Sequence, residues 1–430
     1  MTQSELSRWL DHIEKVHYRS IDLSLDRVRR VLHCLRLKLP YCVVAVAGTN
    51  GKGSTVAFLE SIYQAAGYRI AAFTSPHLVR YNERVRIDGA PVDDELLVNA
   101  FEKVESARGS IPLTYFEFGT LAALVVFEQS GIDIAILEVG MGGRLDAVNI
   151  IDSDVAIITE IGLDHQAWLG NTVEKIGREK SGIMRSSGKV VSSGIRPPNI
   201  LASRASEIRA DLYQLGVDYG FEVMAQSWHW KYLRSGEENN SDIANLPALS
   251  GAHQCNNASG VIACIKLLEN RLPVSLESIK QGLKQVNLPG RIQVVKRQPE
   301  LILDVSHNPD GVQVLAAHLA ENPVPGCTRA VFSMLEDKDI AAVAALLSPH
   351  ISHWNIAELD NVRAAGTAML ERAIRYSSHA DITVCSNISS ALELAELQSD
   401  GLDRVVVFGS FYAAGDIIRY LHHTPYPVPA

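Results

Sequence analysis

Short runs of β-branched and other apolar residues recur along this chain, each closed by turn residues and most followed by a helical period. In the first part they predict strands at 43–47, 69–73, 133–138, 154–159 and 189–192, with helices between them such as 54–66 and 119–130. Residues 213–250 break the rhythm. Their polar, turn-rich and aromatic segments (Trp228, Trp230, Tyr232, then Glu237 to Asp242) predict either a small antiparallel excursion or a surface loop. Helices follow at 257–269 and near 275–286. After the turn Asn-Leu-Pro-Gly-Arg at 287–291 the alternation restarts, with strands near 301–305, 329–334, 352–357, 381–385 and 404–409. Strand–helix alternation of this kind argues an α/β fold with largely parallel sheets. The turn divides it into two domains, 1–287 and 288–430.

Composition narrows the class. The 430 residues are 47% hydrophobic and 21% charged, ordinary for a globular protein, and length alone predicts two or three domains. A net charge of −9 argues against a nucleic-acid partner, which needs clustered Lys and Arg. No apolar run reaches the ~20 residues that span a bilayer, and the N-terminus lacks the order of a signal peptide. Six scattered cysteines without a C-x-x-C pair read as reduced thiols, so a cytoplasmic location without membrane contact is expected.

The strand at 43–47 runs into Gly48-Thr-Asn-Gly-Lys-Gly-Ser54, a glycine-rich turn opening a helix predicted from Ser54. Strand, glycine loop and helix in that order suit a polyphosphate. Backbone N–H groups face the anion, Lys52 spans the outer phosphates from an exposed loop position, and a hydroxyl is left for Mg²⁺. The spacing departs from G-x-x-x-x-G-K-[ST]: two residues separate Gly48 from Gly51, and Gly53 follows the lysine. A glycine-rich turn without ligand is the plainer alternative.

Other candidate groups sit at predicted strand ends, where ligands of α/β sheets bind. Glu138 is either a metal-binding acid beside the phosphate loop or a solvated acid ending its strand. His165 is either structural or a ligand. Residues 177–183, with Arg178, Glu179 and Lys180 adjacent, read as a solvated helix face. The loop 73–85 gathers Ser75, His77, Arg80 and Arg84, and residues 301–309 end a strand with Asp304, His307 and Asn308.

These segments together resemble the Mur-ligase superfamily, in particular its dihydrofolate synthase/folylpolyglutamate synthase branch. The resemblance rests on GTNGKGST at 48–55, SPHLVRYNERV at 75–85, LTYFEFGT at 113–120, LEVGMGGRLDAVN at 137–149, LDHQAWLG at 163–170, REKSGI at 178–183, HQCNNA at 253–258, LPGR at 288–291, DVSHNP at 304–309, MLEDKD at 334–339 and FGSF at 408–411. It implies an N-terminal P-loop ATPase domain and a C-terminal Rossmann-like α/β domain. It further implies ATP-dependent addition of L-glutamate to dihydropteroate and to reduced folates through an acyl phosphate. The bifunctional type is favoured by Thr114 to Glu117 and by the segment from Ser20 to Arg27; a monofunctional folylpolyglutamate synthase is the alternative.

Carried over position by position, the resemblance implies that Thr49, Asn50, Gly51, Lys52, Gly53, Ser54, Asn257, Arg291 and Asp304 contact ATP. Ser54, Ser75, Glu138 and His165 would hold two Mg²⁺ ions, with Lys180 carbamylated. Lys52, Lys180 and His307 would act in catalysis. Asp22, Leu23, Ser24 and Leu25, Thr114, Tyr115, Phe116 and Glu117, and Leu145, Asp146 and Ala147 would form the dihydropteroate pocket. The second domain would close over the nucleotide with glutamate, and the protein would be a monomer. Met141, Val148 and Ser306 depart from the leucine, threonine and alanine or glycine usual in the family. Two other readings, one of another class and one within the superfamily, fit the sequence less well. A nucleotide-gated switch lacks a guanine-reading N-K-x-D segment here. A cell-wall amino-acid ligase would carry a uridine-nucleotide domain, for which the ~47 residues before the loop are too few.

Overall fold

Two amphipathic helices, α1 (Glu5–Lys15) and α2 (Asp26–Leu35), precede the first strand. The strand–turn–helix rhythm does not announce them, because their polar faces dominate the sequence and only Leu6, Ile13, Val28 and Val31 are fully buried. The computed structural model describes residues 4–19, 21–224, 227–234, 240–243 and 246–423. Ser20 and residues 237–239 of the expected acidic segment lie outside the described residues. By contact density the chain parts into two units. One comprises Met1–His77, Tyr81–Ala248 and Gln254–Asn287; the other comprises Leu78–Arg80, Leu249–His253 and Leu288–Ala430.

The first unit is built on an eight-stranded sheet: β1 (Cys42–Ala47), β2 (Ile70–Phe73), β3 (Val85–Ile87), β4 (Ala90–Pro91), β5 (Ile134–Glu138), β6 (Val155–Ile158), β7 (Lys189–Ser192) and β8 (Asp211–Gln214). Their order is β4-β3-β2-β5-β1-β6-β7-β8. Strands β2, β5, β1, β6, β7 and β8 run parallel; at one edge β3 pairs antiparallel with β2 and β4 antiparallel with β3, a hairpin the expected parallel alternation did not include. Every residue of β1 is buried, as its unbroken apolar run requires when helices cover both faces. Those helices are α3 (Lys52–Ala65), α4 (Asp94–Arg108), α5 (Tyr115–Ser130), α6 (Gln166–Leu169), α7 (Val173–Lys180), α8 (Asn199–Ile208), α9 (His253–Leu267) and α10 (Leu276–Gln285). Helix α5 begins four residues before the periodic segment at 119, because Thr114 and Glu117 form a capping box that starts it at Tyr115.

The segment that breaks the alternation is an antiparallel sheet of β9 (Tyr219–Met224), β10 (Ser227–Tyr232) and β11 (Asn240–Ile243), in the order β11-β10-β9. Trp228 and Trp230 share one face of β10 and are fully buried; each such ring contributes roughly 1.5–3 kcal/mol by leaving water. Trp230 Nε1 donates to Ser259 O at 3.2 Å, which anchors the small sheet to α9.

The second unit carries six strands: β12 (Gln293–Arg297), β13 (Glu300–Leu303), β14 (Thr328–Phe332), β15 (His353–Ile356), β16 (Asp381–Val384) and β17 (Arg404–Phe408). Their order is β12-β13-β17-β14-β15-β16, parallel except for β12. Helices α11 (Pro309–Glu321), α12 (Ile340–Leu347), α13 (Thr367–Ser377), α14 (Ile388–Leu397) and α15 (Phe411–His423) complete it. Side-chain alternation sorts Phe332, Trp354 and Phe408 to one core, and Val331, Val405 and Val407 to the other. Asn308 caps α11 through Gly311 N–H, with Pro309 as its first residue, so the DVSHNP segment turns from strand directly into helix.

Candidate active site

Strand β1 lies between β5 and β6, so the chain leaving Ala47 enters the place where ligands of a doubly wound sheet bind. Gly48 passes so close to Thr159 that a Cβ would stand 1.7 Å from its Oγ1. Gly51 has φ +91°, and a Cβ there would meet Asn257 Oδ1 at 2.6 Å, so both positions demand glycine. The loop is braced from β6 onward: Thr49 N and Asn50 N donate to Glu160 O at 2.8 and 3.3 Å, and Thr159 Oγ1 donates to Asn50 O at 2.7 Å. Gly51 is the N-cap, so α3 opens at Lys52, two residues earlier than the sequence pattern predicts. No side chain caps its first turn, the arrangement in which a helix N-terminus takes an anion.

Ser54 is buried on that first turn, where its Oγ accepts from Gln254 Nε2 at 3.2 Å; Gln254 Oε1 in turn accepts from Asn257 Nδ2 at 3.0 Å. Gln254 thus ties two expected nucleotide residues together. Its signal in the sequence was only its place beside them in HQCNNA.

Two lysines converge on one carbonyl. Lys52 Nζ donates to Gly48 O at 3.1 Å and to Thr49 O at 3.3 Å, and Lys180 Nζ donates to the same Gly48 O at 2.7 Å. Lys52 is therefore half-buried and folded back on its own loop, not exposed as expected. The reading of residues 177–183 as a solvated face is also corrected: Lys180 is only 4% exposed, because α7 turns its last residue under the loop. Burial, reinforced by the charge of Lys52, pushes the Lys180 amine down to about 7, against the pull of Asp164 and Asp146.

Glu138 ends β5 at 5% exposure and accepts from Ser75 N at 3.2 Å, which excludes the solvated-acid alternative and brings two expected metal residues together. His165 is an exposed residue with φ 50° at the start of α6, its Nε2 standing 3.9 Å from Asp164 Oδ2. Among the described residues no three His, Cys, Asp or Glu side chains converge as a metal cage. The residues expected to hold a metal instead offer one buried carboxylate, Glu138, and the hydroxyls of Ser54 and Ser75, a hard-oxygen donor chemistry. Such chemistry fits a divalent cation completed by phosphate oxygens and water.

Of the expected acceptor residues, the segments at Asp22 and at Thr114 to Glu117 are joined through one arginine. Arg27 donates its Nε to Glu117 Oε2 at 3.0 Å and an NH2 to Asp22 O at 2.7 Å, with NH1 3.1 Å from Asp22 Oδ1. Glu117 Oε2 also accepts from Thr114 N at 2.8 Å. Sequence reasoning assigns Arg27 no role, yet its half-buried fork joins the segment at Asp22 to the start of α5. Leu23 and Ser24 are half-buried beside Asp22, and Leu25 is buried. Tyr115 meets Tyr81 edge-on at 5.8 Å, and the Arg84 guanidinium lies over both rings at 5.6 and 5.5 Å. Phe116 packs on Gly140, where a Cβ would approach its ring to 2.7 Å. Leu145 is half-buried and Ala147 buried. Asp146 between them is buried, with Oδ2 accepting from Met141 N at 2.9 Å and Oδ1 from Val148 N at 3.0 Å. Burial raises its carboxyl to about 6, with those N–H groups and Lys180 opposing.

In the second unit, Asp304 is buried with each oxygen holding a backbone N–H: Oδ2 accepts from Ile292 at 2.9 Å and Oδ1 from Ser306 at 2.8 Å. His307 Nδ1 lies 3.0 Å from Val305 O. The Arg291 guanidinium sits over Phe411 at 5.1 Å, and the His307 ring is 5.9 Å from that of Phe411.

Comparison with known proteins agrees with this geometry. Residues 46–265 match the Mur ligase middle domain, and residues 290–411 match the Mur ligase glutamate ligase domain. The chain is 40% identical over 419 residues to the dihydrofolate synthase/folylpolyglutamate synthase of Escherichia coli (strain K12), covering 97% of this chain and 96% of that one. The fold superposes on E. coli FolC in complex with DHPP and ADP with a TM-score of 0.91 and 39% identity, covering 98% of this chain and 99% of that one. A bifunctional folylpolyglutamate synthase/dihydrofolate synthase with Mn, AMPPNP and L-glutamate bound matches at a TM-score of 0.89 and 42% identity, over 98% of both chains.

Proposed function

This chain belongs to the dihydrofolate synthase/folylpolyglutamate synthase family of Mur ligases, and from that premise we propose how its own residues divide the work. It is an ATP-dependent ligase that adds L-glutamate to dihydropteroate and to reduced folates through an acyl phosphate. One carboxylate oxygen of the acceptor attacks the γ-phosphorus and ADP leaves. The glutamate amine, having lost its extra proton, attacks the acyl carbon. The C–O bond breaks, and phosphate departs with that oxygen.

We assign phosphoryl transfer to the first unit. The loop Thr49 to Ser54 surrounds the polyphosphate with backbone N–H groups. Lys52, already tethered at Gly48, needs only to swing from two carbonyls to neutralise the transferring group. Asn257 is placed by Gln254 to meet the nucleotide. A divalent metal, when bound, supplies further neutralisation of the phosphates; Ser54, Ser75 and Glu138 would hold one ion, and His165 a second. The observation that carries the assignment is the convergence of Lys52 and Lys180 on Gly48 O, which puts two amines beside one phosphate loop.

Lys180 is the proposed carbamate. An amine titrating near 7 is substantially uncharged at neutral pH, and only that form adds CO₂, releasing one proton and becoming an anion. Asp22 to Leu25, Thr114 to Glu117 and Leu145 to Ala147 form the dihydropteroate pocket in this reading. Its support is the Arg27 fork that joins the first two segments. Arg291 and Asp304 are assigned to the nucleotide, and His307 to glutamate and phosphate. We also propose the functional division 1–287 and 288–430, a monomeric state and a cytoplasmic location; no helix among the described residues is long and apolar enough to cross a membrane. The test is ADP release. It should require an acceptor and L-glutamate together, and it should proceed with dihydropteroate and with a reduced folate monoglutamate supplied separately. Turnover indifferent to glutamate would contradict the reading.

A further inference from the structure

A second buried charge cluster lies outside the residues assigned so far. Arg86 on β3 directs its guanidinium at Glu60 on α3: Nε donates to Oε1 at 3.0 Å and NH2 to Oε2 at 2.5 Å. The remaining nitrogen, NH1, donates to Thr74 Oγ1 and to Glu83 O, both at 2.9 Å. The two side chains are only 18% and 9% exposed. A buried ion pair of this kind is rarely more stabilising than a well-packed apolar pair, since both charges forfeit hydration. What distinguishes it is where its spare donors go. Thr74 immediately precedes Ser75, and Glu83 immediately precedes Arg84, so one guanidinium closes both ends of the loop that carries Ser75. Glu60, meanwhile, sits eight residues along the helix that opens at Lys52, about 12 Å of rise from the phosphate loop.

We propose that the Glu60–Arg86 pair is a positioning strut for the metal–nucleotide site, fixing Ser75 against Glu138 relative to the phosphate-loop helix. The strut rests on the assignment of Ser75 and Glu138 to the metal. Glu60 has a second effect. Burial alone would lower the pKa of Arg86, but the charge and hydrogen bonds of Glu60, with a further contribution from Glu138, raise it above the ordinary arginine value. With Glu60 engaged bidentately, the guanidinium is held to the helix side.

Mn²⁺ affinity, measured by electron paramagnetic resonance on the full chain with ADP, tests this without relying on turnover. Replacing both partners (Glu60→Leu with Arg86→Met) keeps the volume apolar, and Thr74→Val removes a single strut contact. Outer groups that orient metal ligands are worth roughly tenfold to a hundredfold in affinity. The double variant should therefore weaken Mn²⁺ binding by about tenfold or more, and Thr74→Val by a smaller factor of at least about three. Metal-free ADP binding and the KM for L-glutamate should stay within about twofold. If the double variant does not fold, Thr74→Val decides alone. Glu138→Gln separates the two levels of the claim. Should Glu138→Gln weaken Mn²⁺ while Thr74→Val and any folded double variant bind it as the parent does, the strut is refuted and the metal site stands. Should Glu138→Gln also bind as the parent does, the metal site itself is refuted.

Discussion

At the carboxyl end of β1, side chains from three elements meet on the backbone of one loop: Lys52 from α3, Lys180 from α7 and Thr159 from the end of β6. At the carboxyl end of β13 the traffic is reversed, and a single side chain, Asp304, gathers the backbone N–H groups of Ile292 and Ser306 around itself. Both edges belong to parallel sheets of similar build. The first brings two amines to the backbone of a loop whose own residues include no acid, so it is prepared to receive an anion. The second encloses its acid, so its shape is fixed before any ligand arrives. Charge placement in the first unit and loop geometry in the second should therefore fail differently when mutated.

The largest expected effect is on the first edge. Lys52→Ala should lower kcat by about a thousandfold, the scale of losing a donor to a developing charge. The melting temperature should scarcely move, because the lysine binds only carbonyls of its own loop. ADP release under saturating substrates measures the first, and a thermal scan the second. Next comes Asp304→Asn, which turns one acceptor into a donor facing a backbone N–H. It should destabilise the second unit by about 1–3 kcal/mol in a denaturant titration, whatever it does to turnover. If Lys52→Ala unfolded the protein while Asp304→Asn left its stability intact, the contrast between the two edges would be lost.

A smaller effect separates the lysines. Lys180 ionises near 7 when folded against 10.5 as a free side chain, so between those values the unfolded chain binds the extra proton. Its contribution to stability is thus present at high pH, falls as pH drops through this window, and is constant below about 7. In bicarbonate-free buffer, Lys180→Met should abolish that part of the slope and gain relative to the parent as the pH is lowered from 10 towards 7. An unchanged slope would mean that Lys180 is charged in the fold. The smallest effect belongs to Phe411→Leu, which removes the ring under Arg291. It should cost about 0.5–1 kcal/mol, read as a slight loss of stability or of ATP affinity.

Much of the fold was legible because apolar runs such as 43–47 and 404–409 have no other stable use than buried parallel strands. Boundaries moved by a residue or two at most of them, as with β5 and β13. What escaped was held by tertiary context. The burial of Lys180 was not readable from residue types, since Arg-Glu-Lys matches a solvated helix face; only the family resemblance marked the residue, and the fold sets its amine on Gly48 O. β3 is three residues long with an arginine at its centre, and that arginine is buried because Glu60 awaits it on α3. The glycine loop itself was readable from residue types, since Gly48 and Gly51 stand where a Cβ would strike Thr159 and Asn257. The partners that brace it, Gln254 and Glu160, had no such signature: one acts through an amide between two motif residues and the other through a backbone carbonyl.

The path of one oxygen atom tests the proposed chemistry most directly. Dihydropteroate carrying ¹⁸O at both carboxylate oxygens is turned over with ATP and L-glutamate, and the released phosphate is weighed by mass spectrometry. Activation by phosphorylation predicts one labelled oxygen in every phosphate. Phosphate released without the label, alongside product formation, would contradict it.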